Sequence, residues 1–271
     1  MKKITQRYRY SVILLRQLVK TDFKLRYQGS FLGYLWSLLR PLFMFVILYL
    51  VFTVFLPTGK DIPHKAVYLF LGIVLWNYFG EVTTGSVGAI LGKGDLLRKI
   101  NFPKYVVILA VTASAMINLC LNAVIVAFFM YINHVSISWN AFLIIPLLIE
   151  LLVLALGLSF FLSALFVRFR DVSYIWDVFM QAGFYGTPIL YSLTQIANLH
   201  RHVGQLLILN PMAQIIQDAR YLLVTPTNAT IHTLYPGRTW VWLVPISLTL
   251  LIAAGGALYF RSRSKFFAEE A

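Results

Sequence analysis

The chain has 271 residues, of which 59% are hydrophobic and only 12% charged, with a net charge of +13. A soluble domain keeps roughly 25% charged residues to wet its surface, and a mean hydropathy of +0.76 excludes one here, so lipid is the solvent for most of the chain. The basic residues do not form one patch suited to nucleic acid; they fall at the ends of apolar runs, where membrane orientation and anionic headgroups explain them.

Residues 1–28 precede the first apolar run. On a helical wheel Val12, Leu15, Val19 and Phe23 share one side with Leu14, Leu18 and Leu25, while Arg16, Lys20 and Lys24 step along the other. That is a basic amphipathic helix suited to the headgroup plane. Asp22 and Arg26 fall in the apolar arc as a favourable i, i+4 pair. No cleavable leader is expected, because the apolar run starts late, after this long basic segment.

Six apolar stretches follow, each near the ~20 residues that a helix needs to cross the hydrocarbon. They cover about 34–56, 66–91, 105–132, 139–167, 172–193 and 239–260. The first has Arg40-Pro41 near its inner start. The fifth carries Gly183, Gly186 and Pro188, which predict a broken segment, tolerable only where it is buried in protein or lines a cavity. The region 194–238 that follows is polar and aromatic and predicts short helices outside the membrane or dipping into its surface.

With the N terminus inside, 18 of the 23 basic residues fall in inner segments and five (Lys60, Lys65, Arg201, Arg220, Arg238) in outer ones. The positive-inside rule then puts both termini in the cytoplasm.

The loop from Gly92 to Pro103 has Asp95 to cap a short helix and Pro103 to limit it. Leu96, Leu97, Ile100 and Phe102 are too apolar for a plain solvated hairpin. Such a helix can dock in a partner's groove or rest its apolar side on the membrane. Arg168-Phe-Arg170-Asp171 forms a second tight corner, an anchor with a local Arg–Asp pair or a second partner contact.

Glu81, Glu150 and Asp177 lie inside apolar stretches, where ionisable groups face a cavity or a partner. A proton relay needs a cation or His beside them, and no span supplies one. The 21 Phe, 15 Tyr and 6 Trp populate span ends, as an interfacial belt requires; some could line a path and stack on sugar rings. Cys120, alone in an apolar run, reads as a small buried hydrophobe. The chain carries no Gly-x-x-x-x-Gly-Lys-Ser/Thr loop for nucleotide, no His-Glu-x-x-His and no Gly-x-Ser-x-Gly. His200 and His202 are a poor metal pair, so no metal site is expected.

The run Phe23-Lys-Leu-Arg-Tyr-Gln-Gly-Ser-Phe-Leu-Gly-Tyr-Leu-Trp-Ser-Leu-Leu-Arg-Pro41 resembles the start of ABC-2 type permeases, in the branch that exports O-antigen, capsule and wall teichoic acid. Asp95–Pro103 is similar to that family's coupling helix, Phe169-Arg-Asp-Val172 to its second cytoplasmic corner, Thr187-Pro-Ile-Leu-Tyr191 to its broken fifth span, and Asn210-Pro-Met with Arg220 to its external helical segment. The resemblance covers nearly the whole chain in order. It implies an all-α membrane protein: a cytoplasmic interfacial helix over 1–28, then a six-helix transmembrane domain over 29–271 with a coupling helix and short external helices.

The resemblance further implies a permease subunit without enzymatic activity in the cytoplasmic membrane of a bacterium. A second copy of itself and a separate ABC ATPase, which holds the ATP and magnesium, would be its partners, and a polysaccharide on undecaprenyl pyrophosphate its cargo. Asp95, Leu96, Leu97, Arg98, Ile100, Phe102, Pro103, Arg170 and Asp171 are the expected ATPase-coupling residues. Lys24, Arg26, Tyr27, Trp36, Arg40 and Tyr191 are the expected contacts for lipid pyrophosphate or sugar. Lys24 and Arg26 could equally anchor the interfacial helix. A proton-coupled secondary transporter of an envelope precursor is the alternative; it calls for paired buried charges and usually a repeat. A membrane enzyme acting on lipid-linked sugars would need a carboxylate or metal cluster at one membrane face.

Overall fold

The computed structural model describes residues 2–27, 33–55, 62–94, 102–136, 138–265 and 267, and these are helical with no strand among them. Helix α1 runs Lys2–Tyr27. A short 3-10 turn leads into α2, Trp36–Leu50, which continues as one π-helical stretch through Phe55. The long helices are α3 (Lys65–Val87), α4 (Tyr105–Ile132) and α5 (Ile144–Arg168, entered by a 3-10 turn from Trp139). Then come α6 (Val172–Gly186) and four shorter helices: α7 (Leu193–Leu199), α8 (Arg201–Ile208), α9 (Pro211–Leu223) and α10 (Ile231–Leu234). A 3-10 turn from Thr239 opens α11, Leu243–Arg263.

Four of these segments are long and apolar enough to cross a membrane: Lys65–Val87, Tyr105–Ile132, Trp139–Arg168 and Thr239–Arg263. The chain is therefore a multi-pass membrane protein. The other two expected spans are shorter as helices. α2 has 15 residues before its π stretch, and α6 has 15 before the chain leaves helical geometry at Thr187.

Helix α3 is the axis of the bundle. It is apolar on every side, and a helix of that kind must be enclosed by others; Val67, Leu69, Phe70, Ile73 and Val82 have no exposed surface. Phe45 of α2, Phe70 of α3 and Phe129 of α4 meet edge-on or tilted, with ring centroids 5.1–5.5 Å apart. Hydrogen bonds cross between helices where polar groups are enclosed, as is common between membrane helices. Ser159 of α5 donates to the Val82 carbonyl at 3.1 Å, and the Trp176 indole of α6 donates to the Thr83 hydroxyl at 3.3 Å.

Helices α5 and α11 pack through small residues. A Cβ on Gly157 would stand 2.5 Å from the Ala253 Cα, and one on Gly256 would overlap the Gly157 carbonyl. Backbones this close exclude any larger side chain. Cys120, expected among buried apolar side chains, instead lies exposed on α4.

Candidate functional site

Two ends of the bundle carry the residues of interest. At the end with Arg168 and Arg261, α1 packs against α4. Leu18 is buried there with Ile90, Phe102, Val106, Phe260 and Phe267, while Arg16, Lys20 and Lys24 remain exposed. The apolar arc of α1 thus rests partly on protein, and its basic side is open. Asp22 pairs with Lys93 at 2.6 Å, a partner on another element that the sequence did not suggest.

Asp95, Leu96, Leu97, Arg98 and Ile100 lie outside the described residues, as do the side chains of Arg26 and Tyr27. The residues flanking the loop are fixed. Lys93 is held by Asp22, and Phe102 is 5% exposed in the end cluster. Phe102 therefore faces the chain's own core; Pro103 is half-buried. The neighbouring Lys104 ammonium donates to the Ser264 carbonyl and sits 5.5 Å above the Phe267 ring. Between α5 and α6, Arg170 and Asp171 are exposed. Arg170 lies 5.6 Å over the Phe166 ring. Asp171 stands at the start of α6, where a negative charge complements the helix dipole.

Helix α2 sits deeper than its sequence suggested. Asn122 of α4 donates to the Ser37 carbonyl at 3.4 Å. Asn122 is ten residues from the Ile132 end of α4, about 15 Å at 1.5 Å per residue. Phe45 reaches the level of Phe129. Arg40 lies between these levels, so it stands within the bundle, in the half toward the Ile132 end of α4, rather than at the end with Arg168. It is exposed. Trp36, Arg40, Phe43 and Ile47 recur at helical spacing on one face, with Trp36 43%, Phe43 55% and Ile47 61% exposed. A continuous open stripe thus carries one cation between aromatic neighbours. Helix α6 also shows an open aromatic face, with Tyr174 73% and Phe179 57% exposed.

The other end is organised by Arg220, counted in the sequence as an outer-segment cation. It is fully buried. Its Nη1 donates to the Pro188 carbonyl at 2.6 Å, Nη2 to the Ile189 carbonyl at 2.7 Å and Nε to the Tyr68 carbonyl at 3.1 Å. Burial pushes its pKa below the usual arginine range. Gln217 also donates to the Pro188 carbonyl, at 3.2 Å, and Asn228 donates to Gln217. Where α6 breaks, carbonyls lose their helical donors, and enclosed polar groups need others. The Thr187–Tyr191 break and the Asn210–Arg220 helix are thereby one unit. Asn210 caps α9 by accepting from the Met212 amide at 3.0 Å, and Pro211 opens the helix, both standard helix starts.

Tyr191 is half-buried at this end, its hydroxyl donating to the Gly186 carbonyl at 3.2 Å. Lys24, near Asp22 and Lys93, is at the opposite end. The expected substrate residues therefore do not form one cluster; they distribute along the bundle, with Arg40 between the extremes. Of the acidic residues in apolar stretches, Asp177 is exposed on α6, Glu81 accepts from Asn118 at 2.7 Å, and Glu150 faces a cavity shared with Asp218 of α9.

The sequence signature of the ABC-2 type transporter family matches residues 13–224. An O-antigen export system permease protein RfbA of Myxococcus xanthus is 29% identical over 266 residues, 98% of each chain. An O-antigen export system permease protein RfbA of Klebsiella pneumoniae is 33% identical over 221 residues, covering 80% of this chain and 83% of the relative. A further Klebsiella pneumoniae protein of that name is 32% identical over 216 residues, 79% of this chain and 81% of the relative.

Proposed function

Since this chain belongs to the ABC-2 type transporter family, we propose that it is the permease subunit of an ATP-driven exporter of a lipid-linked surface polysaccharide of the O-antigen class. The relatives are named as permease proteins of O-antigen export systems, which supports the permease and O-antigen parts of this reading. In this reading two copies form the pathway, and a separate ABC ATPase with its ATP and magnesium binds at the Arg168 end. That end is cytoplasmic, as are both termini, in the inner membrane of a bacterium, and α2 and α6 complete a set of six spans.

The observation that carries the substrate side of the reading is Arg40. A cation exposed at membrane depth requires water or an anionic partner. An arginine fork matches phosphate oxygens in two-point contact, so the pyrophosphate of an undecaprenyl carrier is a fitting ligand. Trp36 and Phe43 beside it supply flat apolar faces for lipid or sugar C–H groups. Lys24 and Arg26 would attract the same headgroup nearer the cytoplasm, with Tyr27 adjoining them and Tyr191 at the exit.

On the ATPase side, Leu96, Leu97 and Ile100 are the docking teeth in this reading, with Asp95 and Arg98 giving polar contacts. Phe102 and Pro103 anchor the loop's far flank. Arg170 and Asp171 offer the second contact. Closing of the ATPase pair would push on a loop whose flanks are tied to α1 and to the end cluster, so the motion would reach the spans.

The test is copurification with the ATPase encoded beside the gene, followed by ATP-dependent transport in proteoliposomes. Leu97→Asp should abolish copurification or coupling. Arg40→Ala should leave assembly intact and lower transport. Transport driven by a proton gradient without ATP would refute the exporter reading.

A further inference from the structure

Between α5, α9 and α11, at the end carrying Trp242, lies a cavity of about 730 Å³. Its lining is mostly aliphatic, including Val153, Leu222 and Ile246, but two carboxylates, Glu150 and Asp218, enter it. Both carboxylates stand beside the fully buried Gln214, whose amide donates to Asp218 at 2.7 Å.

Three oxygens here are enclosed without a partner: Glu150 Oε1, Gln214 Oε1 and Thr249 Oγ1. Thr249 lines the cavity and is 2% exposed. An enclosed acceptor lacking a donor is unfavourable by about 1–3 kcal/mol in general, so the two that line the cavity, on Glu150 and Thr249 from two helices, point to an absent donor. Among the lining residues the one ionisable base is His232, exposed at the rim. The cavity therefore holds two carboxyl groups at its polar end and is apolar along its length. It opens between exposed apolar side chains of two candidate spans, Ile149 at 55% and Leu250 at 57% exposure, where a lipid chain can enter it from the side.

We propose that this groove is a binding site for a phospholipid whose headgroup ends in a primary ammonium. The ammonium brings positive charge and three N–H donors, which match the two carboxylates and the Thr249 hydroxyl. An acyl chain lies along the aliphatic wall. The lipid phosphate stays at the rim by His232, near the level of Trp242, a residue type that favours the membrane interface. A choline headgroup has the charge but no N–H donor, and a glycerol headgroup has donors but no positive charge, so neither satisfies both requirements. This site is distinct from the open stripe of α2 and does not depend on what the protein exports.

The test is native mass spectrometry of the full chain, delipidated in mild detergent and offered phosphatidylethanolamine, phosphatidylcholine and phosphatidylglycerol with identical acyl chains. Wild type should retain the ethanolamine lipid about tenfold over the other two, the size of one charge-assisted hydrogen bond. Glu150→Gln with Asp218→Asn should erase the preference, and Ile246→Trp, which fills the groove but keeps both carboxylates, should lower occupancy of all three. Equal retention by wild type, a preference that survives the carboxylate variant, or unchanged occupancy in Ile246→Trp overturns the proposal. Should the carboxylate variant fail to fold, the wild-type ranking and Ile246→Trp still decide it.

Discussion

The Arg220 guanidinium lies 3.6 Å from the centre of the Tyr68 ring, and its Nε donates to the carbonyl of the same residue. A cation over an aromatic face gains from the ring quadrupole, more so when dehydrated. With Pro188 and Ile189 completing its donors, one side chain joins the start of α3, the break after α6 and helix α9.

Replacing Arg220 should therefore be severe. Arg220→Leu leaves three enclosed carbonyls without this donor, a loss upwards of about 3 kcal/mol. Arg220→Lys keeps the charge but offers a point ammonium in place of a planar fork, and should recover only part. Thermal unfolding in detergent measures both. Gly72→Ala gives an independent probe, because its Cβ would stand 2.5 Å from Arg220 Nη2. Its effect should shrink in the Arg220→Leu background, as expected for sites in contact.

The close approach of α5 and α11 makes a sharper contrast between neighbours. Gly256→Leu should destabilise the chain by more than the ~1–3 kcal/mol typical of overpacking, because its Cβ meets backbone of Gly157 rather than a side chain that can move. Gly255→Leu next to it meets nothing within 4 Å and should be nearly neutral. Similar melting midpoints for the two variants would count against this packing.

The sequence exposed the long elements because twenty apolar residues are hard to hide, and α3, α4, α5 and α11 fall where expected. The fifth stretch was legible as broken, since Gly183, Gly186 and Pro188 are local signals. What takes up the freed carbonyls was not legible. Arg220 is 32 residues from Pro188, and an arginine in a polar aromatic stretch looks like a surface cation until the fold encloses it. The level of α2 was hidden for a related reason: Arg40-Pro41 reads as a span start, but depth is set by the contact of Ser37 with Asn122, 85 positions away. Glu150 was visible as an acid in an apolar run, whereas its neighbour Asp218 carried no such mark.

The Asp22–Lys93 pair should be modest in stability and informative in coupling. Both side chains are about a quarter exposed, 24% and 26%, so solvent screening limits the pair to about 1 kcal/mol or less. Asp22→Lys should lower the melting midpoint slightly and loosen α1 from the loop's flank. Adding Lys93→Asp should restore it, and high salt should erase the difference. If the reversed pair also rescues ATPase activity in the assembled transporter, the tether carries motion as well as stability.

Asp218 supplies the pH prediction. Burial raises its pKa above the aspartate value of 3.8, opposed by the Gln214 amide, His232 and Trp242. A carboxyl with a raised folded pKa binds protons more tightly in the folded state. Its contribution is fully favourable below 3.8 and is lost as pH rises through the higher folded value. Asp218→Asn removes that loss. In delipidated protein the variant should melt near the wild type in acid and above it at neutral pH. Added phosphatidylethanolamine should narrow or reverse the order at neutral pH, since the ammonium meets two carboxylates in the wild type and only Glu150 in the variant. The two halves of this experiment separate the cost of an enclosed charge from its use: the first depends on burial alone, and the second requires the ligand.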